Sequence, residues 1–230
     1  MINNNAMEAI DSLFIEILET RLRPEGYGWL CEQGAALHAT TRPVQLSRIF
    51  AQVPRFAIKA DPELAAQQLA QSGKQLPVNA MREWSTDTLS RVWLLLQVPD
   101  GDQISYVATI DPLFVGAEVN ELVALYKSLE LLAYPEQWIT RCEEGIRSNI
   151  GSVLEAIMYN NNYPAVYLKE AAWNQMILKA FFTDKDVRRI RGLGQRMNLR
   201  LKAALEDYVQ ERTAAGRSVN PEIYKLMELQ

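Results

Sequence analysis

"QISYVATI", residues 103 to 110, is the stretch on which the fold class turns. Its β-branched and aromatic residues suit a strand, and it is the one segment of the chain with that chemistry. A strand must pair its main-chain donors and acceptors with a neighbour. No second segment of this kind accompanies it. The stretch is therefore read as a helix, and the chain as all-α.

Helical periodicity surrounds it. Ile10, Leu13, Phe14 and Ile17 recur at helical spacing, continued by Leu18 and Leu22. Similar stripes run through Leu46, Ile49, Phe50 and Val53; through Leu89, Val92, Trp93 and Leu96; and through Leu122, Leu125, Tyr126 and Leu129. Further along come Ile150, Val153, Leu154, Ile157 and Met158, then Leu168, Ala172, Met176 and Ala180. Pro-Glu pairs at Pro24, Pro62, Pro135 and Pro221 mark helix starts. Proline at the first helical position loses no hydrogen bond, and glutamate there favours the positive end of the helix. Asp61, Asn220 and the run Ser85-Thr86-Asp87 offer N-caps. About a dozen short helices with brief joints imply antiparallel neighbours. The expected architecture is an array of short antiparallel helices, a HEAT-like α-α superhelix without a strict sequence repeat. The stretch Gln71 to Asp87 contains Gly73 and Pro77, but Leu76, Met81 and Trp84 within it should pack. No linker is assigned, so residues 1–230 are read as a single helical domain.

Composition narrows the function. Of 230 residues, 48% are apolar and 23% charged, as in ordinary globular chains. A formal net charge of -4 argues against a general nucleic-acid binder, which needs a basic face. "MINNNAMEAIDS" opens polar and acidic, without the features of an export signal. The densest apolar run, Val92 to Val98, is far short of the ~20 residues that span a bilayer. Two cysteines, Cys31 and Cys142, make no disulfide framework and suit a reducing compartment. The expected location is cytoplasmic, with a peripheral position at the inner membrane as an option. With one histidine, His38, and no CxxC or HExxH spacing, we assign no metal site, no cofactor and no catalytic residue. His38 itself reads as a polar residue near a helix end.

Three groups of residues stand out. In "DYVQERTAAGRSVNPEIYKL" (residues 207 to 226), Met197, Leu201, Leu205 and Tyr208 lead along an apolar face to Arg212. A buried arginine there should meet a carboxylate from another helix. Asp207 and Glu211, four apart, share the adjacent face and could hold a cation or share a proton. Gly216 suits a left-handed helix end, with Arg217 beside the exposed carbonyls. In "NNNYPAVYLKEAAWNQMILKAFF" (residues 160 to 182), Glu170, Asn174, Gln175 and Lys179 interrupt a helix that is otherwise apolar. The amides should pin loops or face a cavity, and Trp173 and Tyr167 serve as core or as a ligand platform. The third group, Lys185, Arg188, Arg189, Arg191, Arg196, Arg200 and Lys202, is the basic stretch, read as a solvated face that could hold an anionic ligand or an anionic membrane surface. Its glycines, Gly192 and Gly194, follow no strand, which excludes Rossmann and P-loop readings.

With these residues in place, the chain resembles the EboA family of bacterial metabolite-traffic proteins. The resemblance covers nearly the whole chain. It is strongest in "YPAVYLKEAAWNQMILKAFF" and "DYVQERTAAGRSVNPEIY", helped by "VPRF", "NELVALYKSLELLAYPE" and "EEGIRSNI". The family carries a histidine and a tryptophan where this chain has Gln210 and Thr213, and a tryptophan at Tyr224. A mechanism using that histidine would not carry over. The resemblance implies a pathway context, with members encoded beside a UbiA-like prenyltransferase and sugar-phosphate isomerase-like, TatD-like and dehydroquinate-synthase-like proteins. Such clusters are associated with making or moving a secondary-metabolite precursor, as in scytonemin production.

The expected function is a non-enzymatic helical adaptor or carrier in such a pathway. It would dock partner enzymes, a membrane prenyltransferase among them, or hold an anionic or prenylated metabolite. The candidate ligand-binding residues are Glu170, Trp173, Asn174, Lys179, Asp207, Tyr208, Glu211, Arg212 and Arg217. The alternative is an enzyme acting on a phosphorylated cyclitol or prenylated intermediate. There, Asp207 or Glu211 would move the proton, and Arg212, Arg217 and the arginines from 188 to 196 would bind anionic groups.

Overall fold

Residues 103–110 form a helix in the computed structural model, which describes residues 4–39, 41–57, 81 and 84–228. Asp102 caps it by accepting from the Ser105 amide at 2.8 Å. Tyr106, Thr109 and Ile110 are buried, a three-and-four spacing that only a helix places on one face. The described residues are all-α. Their only β-type pairing is a single antiparallel bridge between Tyr159 and Ile190.

The chain divides into two compact units, Met1–Trp138 and Ile139–Gln230. The first contains α1 (Asn4–Arg21), α2 (Pro24–Ala39), α3 (Pro43–Phe56), α4 (Thr86–Leu96), α5 (Gln103–Ile110), α6 (Leu113–Gly116) and α7 (Val119–Ser128), then a 3-10 turn, Pro135–Trp138. Helix α4 is its axis: it packs against α1, α2, α3 and α7, and every residue from Thr86 to Leu95 is buried. That is why "VWLLL" is apolar on all sides. Ser85 caps the helix as expected, accepting from the Thr88 amide at 3.2 Å. The stripes of α1 and α3 are buried from Ile10 to Leu22 and from Leu46 to Val53, and Met81 and Trp84 are buried too. His38 is exposed in the last turn of α2. The expected start at Pro62, its cap Asp61, and Gly73, Leu76 and Pro77 lie outside the described residues.

Charge is also buried in this unit. Arg91, 2% exposed, donates through Nη1 to Asp87 Oδ2 one turn earlier on α4. Its Nη2 lies 3.9 Å from Glu121 on α7, and its guanidinium carbon 5.9 Å from the Phe50 ring centroid on α3. One side chain thus touches three helices.

The second unit contains α8 (Ile139–Arg147), α9 (Gly151–Met158), α10 (Tyr163–Tyr167) and α11 (Glu170–Phe182). A 3-10 turn, Val187–Arg189, leads on to α12 (Leu199–Ala214) and α13 (Glu222–Glu228). Helix α11 buries Trp173, Met176, Ile177, Ala180 and Phe181 and packs against α8, α12 and the 3-10 turn. The stretch read as one helix from Asn160 to Phe182 is two, broken at Leu168 and Lys169. Arg196 supplies the reason. Its guanidinium donates to the carbonyls of Pro164 and Ala165 at 3.0 Å and of Leu168 at 2.8 Å. Pro164 also accepts from the Leu168 amide at 3.2 Å, whereas the carbonyls of Ala165 and Leu168 would otherwise need the next helical turn. Gly192 lets the arginine loop come this close: its φ is +73°, and a Cβ there would lie 2.7 Å from that of Ala165.

Candidate functional site

Helices α11 and α12 leave an open groove between them, with a cavity of about 620 Å³. Ala171, Leu178 and Phe182 from α11 and Ala204 from α12 give it an apolar lining. Phe182 is 59% exposed, unusual for a phenylalanine, with its ring edge-on to Tyr208 at 4.8 Å. The polar groups of the lining are Asn174, Gln175, Lys179 and Arg200.

Three of these four polar groups have a local anchor. Asn174 and Asn198 exchange amide hydrogen bonds of 2.9 and 3.1 Å. Asn198 also caps α12, accepting from the Leu201 amide at 2.9 Å. Lys179 Nζ donates to the Ser148 carbonyl at 2.6 Å and lies 3.4 Å from Asn149 Oδ1, so its partners are neutral oxygens. Arg200 lies 3.8 Å from Glu170, both largely exposed. Such a pair is worth little in water.

The other candidates sit around this groove or away from it. Trp173 lies beneath it, fully buried, with the Arg196 guanidinium 4.6 Å from its ring centroid. It is core, not lining. Tyr208 is buried and donates to the Phe181 carbonyl at 3.3 Å, which ties α12 to α11. Asp207, Glu211 and Arg217 are exposed.

Arg212 departs from expectation. It is half-exposed, and it donates from Nε and Nη2 to the Ser218 carbonyl at 3.0 and 2.7 Å, with Tyr208 5.7 Å away. Its partner is a main-chain oxygen of the following turn, not a carboxylate from another helix. The helix end itself is as expected. Gly216 has φ +64°; its amide donates to Thr213 and that of Arg217 to Arg212. These two bonds make a Schellman end. Arg212→Ala is therefore expected to cost about 0.5–1.5 kcal/mol, the worth of an ordinary hydrogen bond. Arg217→Ala should unfold like the wild type. Urea denaturation of both variants checks this, and a loss from Arg212→Ala as large as that of a broken buried ion pair would contradict it.

A family model described as Metabolite traffic protein EboA matches residues 10–228. The chain belongs to the EboA family. No curated protein and no solved structure matches it.

In this EboA-family chain the basic stretch is not one patch. Arg188 pairs with Asp186 at 2.8 Å, Lys185 with Glu155 at 2.6 Å, and Arg189 lies 4.1 Å from the Tyr159 ring centroid. Arg196 holds the end of α10, and burial lowers its pKa. Arg188 and Arg191 line a smaller cleft of about 330 Å³ beside Glu222, and Arg200 joins the α11–α12 groove. Sequence reading missed the Asp87–Arg91 pair and the groove residues Leu178, Phe182 and Ala204. Phe182 did leave a signal: it falls beside Phe181, and one helix face cannot bury both.

Proposed function

We infer that this EboA-family protein holds a metabolite without transforming it, as a non-enzymatic carrier or adaptor in a bacterial secondary-metabolite precursor pathway. The observation that carries the reading is the α11–α12 groove, lined by apolar residues together with a few polar and cationic ones. Small-molecule sites have this make-up: mostly apolar walls with a few groups that orient the ligand. The family's description as metabolite traffic agrees with it. The partners to expect are other proteins of the same pathway, a membrane prenyltransferase among them, and no nucleic acid. Among the described residues, no helix is long and apolar enough to cross a membrane. A cytoplasmic protein working at the inner-membrane surface fits this reading.

The enzyme alternative needs Asp207 or Glu211 to meet its arginines at one cavity. Arg188 and Arg191 line the smaller cleft, but Asp207, Glu211 and Arg217 are exposed, Arg212 turns to the Ser218 carbonyl, and none of these four lines either cavity described above.

The test compares wild type with Ala204→Trp, which fills the groove from α12. Both are purified under mild conditions from cells that run the pathway, and their methanol extracts are compared by mass spectrometry. A compound present only with the wild type, and unchanged in mass after incubation with fresh protein, is the expected result. Conversion of that compound would end the carrier reading, and identical extracts would remove the groove as its site.

A further inference from the structure

The groove's charge and shape say what it should take. Its two cations, Lys179 and Arg200, line it beside apolar residues. Lys179 is held by neutral oxygens, so its positive charge is not cancelled by its own partners. Arg200 has an 86% exposed side chain and only a long contact with Glu170, which is itself 53% exposed. It also belongs to the first turn of α12, where the positive end of the helix adds to its field. Phe182, which lines the same groove, exposes more than half of its surface to water, and covering it is favourable.

Resting on the reading of this groove as a ligand site, we propose that it binds an anionic amphiphile. The carboxylate or phosphate head pairs with Arg200. The hydrocarbon body lies over Leu178, Phe182 and Ala204. The weak Glu170 contact is what the head displaces. A charge-assisted pair with a planar guanidinium orients the head, and the apolar lining tolerates many bodies. The groove therefore selects for the combination of charge and hydrocarbon more than for one skeleton.

The probes are dansylaminoundecanoic acid and its methyl ester, titrated by fluorescence into the full chain. The acid should bind about tenfold more tightly than the ester, the factor that one modest ionic hydrogen bond supplies. Arg200→Gln, an exposed substitution that leaves the fold intact, should erase that difference by weakening the acid alone. Phe182→Ser should weaken both probes. Equal binding of acid and ester, or an Arg200→Gln variant that still prefers the acid, overturns the anionic head; the carrier reading then stands or falls on the extraction comparison. If neither probe binds, the amphiphile proposal is overturned as a whole. A flotation arm with vesicles of phosphatidylcholine and phosphatidylglycerol separates the two sources of such a head. Flotation that Arg200→Gln abolishes assigns it to a bilayer lipid, and binding of the acid without flotation assigns it to a free metabolite.

Discussion

Arg91→Ala will lower the unfolding free energy of this protein by about 3–5 kcal/mol, the loss expected when one partner of a buried ion pair is removed. The arginine is 2% exposed and Asp87 3%, on a helix buried from Thr86 to Leu95. Removing the guanidinium leaves the Asp87 carboxylate in the core with its principal charge partner gone. The Phe50 ring on α3 also loses the cation, and Glu121 on α7 loses its long-range partner. Urea denaturation followed by circular dichroism reads the loss. A double variant, Arg91→Met with Asp87→Leu, should recover much of it, since apolar residues of similar size often replace a buried pair without penalty. If Arg91→Ala unfolds like the wild type, the guanidinium is not what joins α3, α4 and α7.

Trp173→Ala is expected to be comparably damaging, about 3–5 kcal/mol for truncating a buried tryptophan. The ring is fully buried on α11 and carries the Arg196 guanidinium on its face. Arg196 in turn holds the last carbonyls of α10. Truncation therefore opens a cavity and unseats the group that ends the neighbouring helix. Trp173→Phe should be far milder, because the indole Nε1 has no hydrogen-bond partner to lose. The same variant separates core from ligand platform. With Trp173→Phe folded, binding of the dansyl probe should stay at the wild-type level, and a large loss of binding would bring the tryptophan back into the site.

The helical class was legible because it rests on local rules. Buried stripes such as Ile10–Leu13–Phe14–Ile17 repeat at one spacing, and the caps at Ser85 and Asn220 announce themselves by residue type. Even "QISYVATI" yielded to the argument that a strand without a partner is untenable. What stayed hidden depends on contacts between distant residues. "TDTLSR", residues 86 to 91, looks like a solvated first turn, yet α1, α2, α3 and α7 close over it and drive Asp87 onto Arg91. Arg212 falls on the apolar side of its helix and still reaches the Ser218 carbonyl, because the turn after Gly216 brings that oxygen back. The groove is hardest of all to read. That Phe181 and Phe182 cannot share a buried face is legible, but that Phe181 is the covered one follows only from where α12 lies.

One cysteine gives the molecule a clock of its own. Cys142 lies on α8, fully buried in the second unit, and burial pushes its thiol up to about 12. Alkylating reagents attack the thiolate, so the folded unit keeps this sulfur silent and each reaction marks an opening event. Followed at increasing urea, the alkylation rate distinguishes a chain that opens as one body from one whose second unit opens alone. In the first case the rate tracks global unfolding throughout. In the second it runs ahead at low urea, and a carrier could then release its cargo from one unit while the other stays folded.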